Sequence, residues 1–227
     1  AKYTDIAYED LNESMELSIL PDGGYVEGPN YFQCVGRDAC LSYYYYARAR
    51  GLDFASIVPE IVKRTAGFGA AVISTDEGQD VVPICDAKSG FSRQATAFLA
   101  VLMPGSAWSG LFAKEQWTSP FPSSLPEAQL APAPAPGYRP PPLVVLGDMG
   151  LVASHRRIDG SDVKLVVLGN RAGAGHTHED KGSFILEFAG DTYAMDPGTC
   201  DYSDPLAEVL KHAERHNMLV PTGIVEE

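Results

Sequence analysis

A proline-rich stretch near the middle of the chain limits most strongly how this chain can fold. Nine of the seventeen prolines lie between residues 119 and 142, including Ala131-Pro-Ala-Pro-Ala-Pro136 and Pro140-Pro-Pro142. Proline lacks an amide hydrogen and restricts φ, so such runs favour an extended polyproline conformation over helix or sheet. We interpret residues 119–142 as a junction between an N-terminal part at residues 1–118 and a C-terminal part at residues 143–227.

The N-terminal part carries helical patterns. Apolar residues recur at helical spacing, and we predict helices over residues 4–19, 31–50, 54–64, 93–103 and 108–117. The stretch at residues 67–95 is rich in glycine and short polar residues and is interpreted as a connection. Helical hairpins joined by long connections are therefore expected before the junction.

We predict a constrained loop at residues 22–31, between the first two predicted helices. Gly28-Pro29 interrupts the helical pattern there, because the residue before a proline is disfavoured in helical conformation. The segment carries polar and aromatic side chains, and loops of this kind often hold functional residues.

In the C-terminal part, short apolar runs separated by glycine and aspartate predict short strands joined by turns. We assign strands to residues 143–146, 150–154, 163–168, 183–188, 193–195 and 218–220. A short helical insert is expected at residues 205–214. Helices followed by closely spaced strands indicate an α+β chain of more than one domain, with an antiparallel sandwich or meander at its C-terminal end.

The acidic composition limits the classes of partner. The chain has 17 Lys and Arg against 30 Asp and Glu, a formal net charge of −13. This charge opposes binding to nucleic acid, and an acidic substrate would need a locally basic cleft. No apolar run approaches the ~20 residues that cross a bilayer, so no membrane span is expected. The four cysteines form no C-x-x-C pair and are interpreted mostly as buried thiols.

Two histidines and two carboxylates fall within five residues at His176-Thr-His178-Glu-Asp180. If this segment is extended, His176 and His178 project to the same face, because side chains alternate along a strand. Both could then bind a metal, or one could do so while the other faces a substrate. Asp196 ends the next predicted strand and His216 could add a third ligand, a set that zinc accepts. Alternatively, Asp180 pairs with the lysine beside it or orients a histidine.

These residues resemble a known family. Residues 175–184, 190–198, Tyr202 and His216-Asn217 resemble the core signature of the heparinase II/III-like polysaccharide lyases. Asp22-Gly-Gly-Tyr-Val-Glu27-Gly-Pro-Asn-Tyr31 resembles the catalytic loop of the same family. The resemblance implies a partial (α/α) toroid of helical hairpins followed by an antiparallel β-sandwich. It also implies a fragment of a longer chain with a periplasmic or secreted location.

The resemblance further implies a reaction. Lyases of this family cleave uronate-containing acidic glycans by β-elimination, so a heparin-like, heparan sulfate-like or alginate-like partner is expected. The uronate carboxylate is neutralised, the C5 proton is removed and the O4-linked sugar is expelled, which leaves an unsaturated uronate. Such a reaction needs donors to the carboxylate, a base near the C5 proton and an acid at the leaving oxygen.

The resemblance also assigns roles to particular residues. His176 would face the substrate, and Glu27 and Asn30 would engage the uronate. Tyr31 and Tyr202 would lie nearby as aromatic or phenolic groups. A zinc ion that mainly braces the sandwich would be held by His178, Asp196 and His216.

One departure from the family pattern keeps other functions open. These lyases generally use as base a tyrosine a few dozen residues beyond the catalytic loop, yet no tyrosine occurs between Tyr46 and Tyr138. Another residue serves as base, the alignment shifts, or activity is lost and a non-catalytic glycan-binding domain remains. A zinc metallohydrolase is the other alternative, because H-x-H-x-D also opens the metal site of the metallo-β-lactamase fold. That fold, however, has a histidine where Lys181 stands, and it alternates strands with helices.

Overall fold

The computed structural model describes residues 2–114, 130–132, 134–170 and 175–220. Half of the predicted proline-rich junction lies outside the described residues, as does the end of the helix predicted at residues 108–117. The division into residues 1–118, 119–142 and 143–227 therefore stays a prediction.

The described residues up to Lys114 are largely helical, as the apolar spacing predicted. In chain order they form α1 (Lys2–Ser18), α2 (Gly28–Cys34), a π-helical turn (Val35–Ala39), α3 (Cys40–Arg50), α4 (Phe54–Ile57), α5 (Glu60–Arg64), α6 (Ala66–Val72), α7 (Arg93–Leu102) and α8 (Ala107–Lys114). No helix in the described ranges is long and apolar enough to cross a bilayer.

The predicted loop before residue 31 is partly wrong, because α2 already begins at Gly28. Pro29 lies in the first turn of α2, where a proline is tolerated because its missing amide hydrogen would have no partner inside the helix. Gly28 has φ of +78°, and a Cβ there would lie 2.8 Å from the carbonyl oxygen of Ile84. Asn30 and Tyr31 therefore stand on the first turns of a helix rather than on a loop.

The glycine-rich connection contains α6, which the sequence did not predict. Gly67 and Gly69 lower the intrinsic helix propensity of this segment. A Cβ at Gly69 would lie 2.6 Å from the indole ring of Trp108, so the glycine makes room for that ring. Trp108 is fully buried, and its Nε1 donates a hydrogen bond to the carbonyl oxygen of Thr65 at 3.2 Å. Tertiary packing thus outweighs local propensity here.

The described strands form one antiparallel sheet in the order β1-β2-β3-β4-β5. They are β1 (Leu143–Leu146), β2 (Leu151–Ile158), β3 (Ser161–Leu168), β4 (Phe184–Phe188) and β5 (Asp191–Ala194). Each strand from β2 to β5 pairs with the strand before it, so the predicted antiparallel arrangement is confirmed. A second sheet facing it, as a sandwich requires, is not found among the described residues.

The end of the described chain contains no strand at residues 218–220, so that prediction was wrong. The side-chain amide of Asn217 donates to the carbonyl oxygens of Phe184 and Met195, both at 3.0 Å. A side chain therefore occupies backbone acceptors that a paired strand could use. The predicted helical insert is present as α9 (Leu206–Val209) and a 3₁₀ turn (Ala213–Arg215).

The two faces of the sheet have different surroundings. Val144, Ala153, Val166 and Ile185 lie side by side across β1 to β4 and are buried against the helical part. The opposite face is also apolar, yet it is exposed. Its exposed side chains include Leu143, Val145, Leu165, Val167, Phe184 and Phe188.

A row of polar side chains crosses the buried face of the sheet. Lys164 and Glu187 stand opposite each other on β3 and β4, and both are fully buried. Glu187 accepts hydrogen bonds from the hydroxyls of Ser74 and Thr75 and from the Thr75 amide. Lys164 donates to the carbonyl oxygen of Ile73. These bonds compensate the burial of both charges and attach the sheet to the chain just after α6.

Beside this row, His155 makes stability depend on pH. Burial, followed by repulsion from Lys164, lowers the pKa of His155 from 6.5 to about 4. The folded protein therefore binds this proton more weakly than the unfolded chain does. The stability from neutral His155 is complete above about pH 6.5 and is lost as the pH falls toward about 4, by about 2 kcal/mol after allowance for solvent screening.

We expect the His155→Gln variant to lose this part of the pH dependence. Gln can still donate to the carbonyl oxygen of Ala70, which Nε2 of His155 contacts at 3.1 Å, but it does not titrate. Urea unfolding of both proteins at about pH 7 and about pH 5 measures the difference. Equal losses of unfolding free energy in both proteins would contradict the assignment.

Candidate functional site

Asp86 is the centre of a hydrogen-bonded cluster, and its side chain is only 1% exposed. Its Oδ2 contacts Nδ1 of His176 at 2.9 Å and accepts a hydrogen bond from the Tyr202 hydroxyl at 2.8 Å. Its Oδ1 contacts Nε2 of His178 at 2.9 Å. Burial acts to raise the pKa of Asp86, but the hydrogen bonds from His178, Tyr202 and His176 outweigh it and lower the pKa. Because a carboxylate only accepts hydrogen bonds, both contacting ring nitrogens carry hydrogen.

A turn at residues 175–176 and a loop at residues 198–199 hold residues 83–87 at this position. The amide of Asp86 donates to the carbonyl oxygen of His176 at 3.0 Å, and the amide of Thr199 donates to that of Ala87 at 3.1 Å. Gly198 has φ of +56°, and a Cβ there would lie 2.2 Å from the Ala87 carbonyl oxygen. Glycine is therefore required where the turn approaches this segment.

His176 and His178 do not lie on an extended strand, so the condition under which both would project to one face is not met. Residues 175–176 form a turn, and His176 has φ of +60°. The hydrogen bond between the His176 carbonyl and Asp86 accompanies this conformation. The His176 side chain is 37% exposed, whereas that of His178 is fully buried. One histidine thus faces solvent and the other faces the interior.

Tyr31 and Tyr202 complete the exposed side of the cluster. The Tyr31 ring stacks on the His176 imidazole, with 3.8 Å between centroids and 20° between planes. The hydroxyls of Tyr31 and Tyr202 are 2.8 Å apart, and Tyr31 is the donor because Tyr202 donates to Asp86. Burial, and then the hydrogen bonds with Tyr31 and Asp86, raise the pKa of Tyr202. Tyr202 therefore keeps its proton at neutral pH.

Beneath this surface, His178, Asp196 and His216 form a buried group. Each offers one ligand atom, and these atoms all lie within 4.8 Å of one another. Nδ1 of His216 lies 2.8 Å from Oδ2 of Asp196. The imidazole centroids of His178 and His216 are 5.4 Å apart. Two nitrogens and one carboxylate oxygen are donors that zinc binds.

Polar atoms without partners surround this group. In the described part of the chain, Nδ1 of His178, Nε2 of His216 and both carboxylate oxygens of Asp180 are buried without a hydrogen-bond partner. Lys181 lies 3.9 Å from Asp180 and donates instead to the His178 carbonyl oxygen. Burial, and then the nearby charge of Asp196, raise the pKa of Asp180. Buried polar atoms are normally satisfied, so these residues fit a bound cation.

A family comparison bears on this set of residues. The family model described as the heparinase II/III-like C-terminal domain matches residues 139–222, which include His176, His178, Asp196 and His216. The resemblance to the heparinase II/III-like family is confirmed. Among curated proteins, no sequence matches the chain.

Solved structures share this heparinase II/III-like fold over most of the chain. A crystal structure of heparinase III matches with a TM-score of 0.68 and 14% identity, covering 95% of this chain and 34% of that one. The crystal structure of heparan sulfate lyase HepC from Pedobacter heparinus matches with a TM-score of 0.63 and 16% identity, covering 90% and 30%. Identities this low show the fold alone. The chain spans about a third of the length of these structures.

Glu27 and Asn30 lie at the start of α2, the helix that also carries Tyr31. A Cβ on Gly175 would lie 2.9 Å from Oε1 of Glu27, so this side chain covers the turn that precedes His176. Oδ1 of Asn30 accepts a hydrogen bond from Gln33 at 2.9 Å, which leaves the amide hydrogens of Asn30 to donate. The structure thus brings Tyr31, His176 and Tyr202 into contact and places Glu27 beside Gly175, while Asn30 directly precedes Tyr31 on α2.

Asp86 is the member of the cluster that the sequence did not single out. It lies in the glycine-rich connection, about ninety residues before the histidines that it contacts. A lone aspartate after Cys85 has no spacing relation to those histidines. Only the folded chain, in which residues 175–176 and 198–199 close over residues 83–87, reveals it.

Proposed function

We propose that the chain is part of a polysaccharide lyase that cleaves a uronate-containing acidic glycan by β-elimination, with a heparin-like, heparan sulfate-like or alginate-like substrate. One observation carries the proposal. An imidazole held by a buried carboxylate lies beside a hydrogen-bonded pair of phenols, between the helical part and the sheet. These groups can act as base and acid in an elimination. The family match at residues 139–222 supports it.

His176 is the proposed base. Because its Nδ1 hydrogen is donated to Asp86, the lone pair of Nε2 is available to take the C5 proton of the uronate. Stacking on Tyr31 fixes the plane of the imidazole. The tyrosine that the family pattern expects is missing between Tyr46 and Tyr138, so the role passes to a group that is present.

The hydroxyl pair of Tyr31 and Tyr202 is the proposed acid. As the C5–H bond breaks, its electrons form the C4–C5 double bond and the C4–O4 bond breaks toward oxygen. The pair then supplies a proton to the departing O4. Tyr202 remains protonated at neutral pH, because burial and then its hydrogen bonds raise its pKa, so the pair holds a proton that it can give. Exchange with solvent returns His176 and the phenols to their starting states.

Binding of the uronate is assigned to side chains around this pair. Asn30 can donate its amide hydrogens to the carboxylate, and Glu27 can accept hydrogen bonds from sugar hydroxyls. The ammonium group of Lys211 lies 6.0 Å from the centre of the Tyr202 ring. It also donates a hydrogen bond to Glu208 at 2.9 Å, and we assign it to the uronate as a cation in a chain whose net charge is −13.

We propose further that His178, Asp196 and His216 hold a zinc ion. When bound, zinc would neutralise the buried carboxylates and cross-link the turns that carry these three ligands. The proposed proton transfers use His176 and the two tyrosines and do not pass through the metal group.

The exposed apolar face of the sheet supports the sandwich proposal. Val145 is 58% exposed and Phe184 39% exposed, and neighbouring positions on β3 and β4 are apolar as well. Soluble proteins rarely leave such a patch uncovered. We propose that a second sheet packs there and that the helices belong to a partial (α/α) toroid. A periplasmic or secreted location is proposed from the family resemblance.

The metallohydrolase alternative has less support. The metallo-β-lactamase fold alternates strands and helices, whereas β1 to β5 form an antiparallel meander. His176 turns toward Asp86, while His178 lies with Asp196 and His216. The two histidines therefore do not face one metal group together.

Incubation with heparin, heparan sulfate and alginate tests the proposed function. We expect a rise in absorbance at the ultraviolet edge from the unsaturated uronate, and products whose mass includes no added water. Tyr202→Phe keeps the ring but loses the hydroxyl, so kcat should fall roughly 100-fold. Tyr193→Phe is the control, because Tyr193 is 66% exposed on β5. Glycan binding without turnover would favour a binding domain, and products with added water would favour a hydrolase.

A further inference from the structure

One buried carboxylate contacts both histidines of the site. Asp86 presents Oδ2 to His176 and Oδ1 to His178. We infer that Asp86 is a positioning residue that selects the tautomer of both histidines. Each ring then keeps one bare nitrogen, meaning a ring nitrogen without hydrogen. His176 presents its bare nitrogen to the substrate, and His178 presents its bare nitrogen to the metal group. That these nitrogens act on a substrate and a metal ion rests on the proposed function, but the tautomers can be observed whether or not the protein has that function.

The first contact determines the state of His176. Nδ1 lies 2.9 Å from the carboxylate and carries a hydrogen, so in the neutral ring Nε2 is bare. A free neutral imidazole in water prefers the opposite arrangement, with hydrogen on Nε2. Asp86 therefore reverses the ordinary preference at this ring, while the stacked Tyr31 ring at 3.8 Å limits its reorientation.

The second contact determines the state of His178. Nε2 lies 2.9 Å from the other carboxylate oxygen and carries a hydrogen, so in the neutral ring Nδ1 is bare. Nδ1 is buried and has no hydrogen-bond partner within the described ranges. His178 shares its group with Asp196 and His216, whose ligand atoms lie within 4.8 Å. A hydrogen on Nδ1 would prevent that nitrogen from binding a metal ion.

A neutral amide of the same shape cannot serve both histidines. Asparagine offers one acceptor and one NH₂ donor where aspartate offers two acceptors. In Asp86→Asn, the histidine that meets the NH₂ group must present a bare nitrogen to it, so its hydrogen moves to the other ring nitrogen. If this is His178, Nδ1 is blocked. If it is His176, Nε2 loses its lone pair.

Nitrogen-15 NMR of the imidazole rings tests the inference, because it separates protonated from bare ring nitrogens. Spectra of His176→Gln and His178→Gln assign the signals. In the wild type we expect hydrogen on Nδ1 of His176 and on Nε2 of His178. In Asp86→Asn we expect one of the two rings to reverse. Asp80→Asn is the matched control, because Asp80 accepts a hydrogen bond from the Phe91 amide on the same connection.

Zinc content after dialysis against zinc, and turnover on the glycan panel, are measured on the same proteins. Reversal at His178 should lower zinc affinity 10- to 100-fold, and reversal at His176 should lower turnover by a similar factor while zinc is retained. Unchanged tautomers in Asp86→Asn would overturn the inference. So would a wild-type His176 with hydrogen on Nε2, which can be observed even if the variant fails to fold. Expected tautomers in a protein without turnover would contradict the proposed function and support the role of Asp86.

Discussion

Replacing His176 by alanine is expected to lower kcat for glycan cleavage by about 1,000-fold, within the range that a positioned general base contributes. The substitution removes the Nε2 lone pair, which we propose takes the C5 proton. KM should change little, because Asn30, Glu27 and Lys211 remain to bind the uronate. Initial rates of ultraviolet absorbance increase at several glycan concentrations separate the two constants.

His212→Ala is the matched control for this loss. His212 is exposed and lies 3.5 Å from Glu179, on the segment that leads to His216. It should keep the wild-type rate. Thermal unfolding of all three proteins distinguishes lost chemistry from lost folding. Turnover that survives in His176→Ala would show that another residue removes the proton.

Removal of zinc is expected to have the largest effect on stability. If free zinc exceeds its dissociation constant 100- to 1,000-fold, binding adds about 3 to 4 kcal/mol to the unfolding free energy. Chelation should therefore lower the unfolding free energy by that amount. His178→Ala should hold less zinc and should no longer respond to the chelator. Metal analysis and urea unfolding with and without chelator measure both effects.

His176→Ala is the control in this experiment, because His176 neighbours the buried group but contacts Asp86 on the exposed side. It should retain zinc while losing turnover. A wild-type protein without stoichiometric zinc would end the zinc proposal. Zinc retained at wild-type affinity in His178→Ala would show that the ion lies elsewhere.

Much of the element order follows from local patterns. Apolar spacing predicted α1, α3 and α7, and alternation with glycine turns predicted β1 to β5, because these periodicities reflect single elements. The same logic failed at α2 and α6. Pro29 and Gly69 weaken a helix in isolation, but a first-turn position and the packing of Trp108 accommodate them.

The residues of the candidate site were also predicted in part from the sequence, whereas their contacts were not. His178, Asp196 and His216 were proposed together from the sequence, and the fold places their ligand atoms within 4.8 Å. Tyr31 and His176 were proposed from opposite ends of the chain, and their rings stack at 3.8 Å. Resemblance to a family pattern suggested these residues. It could not give the contacts between them, because contacts depend on how distant segments pack.

The sequence by itself determined the residue types that can act as acid, base and metal ligand, because chemistry belongs to side chains. Only the tertiary structure decided which histidine faces solvent, and only it brought Asp86 between His176 and His178. The reason is physical. A hydrogen bond acts over about 3 Å, whereas the residues that it joins here are about ninety positions apart. The packing of residues 175–176 and 198–199 against residues 83–87 sets that distance.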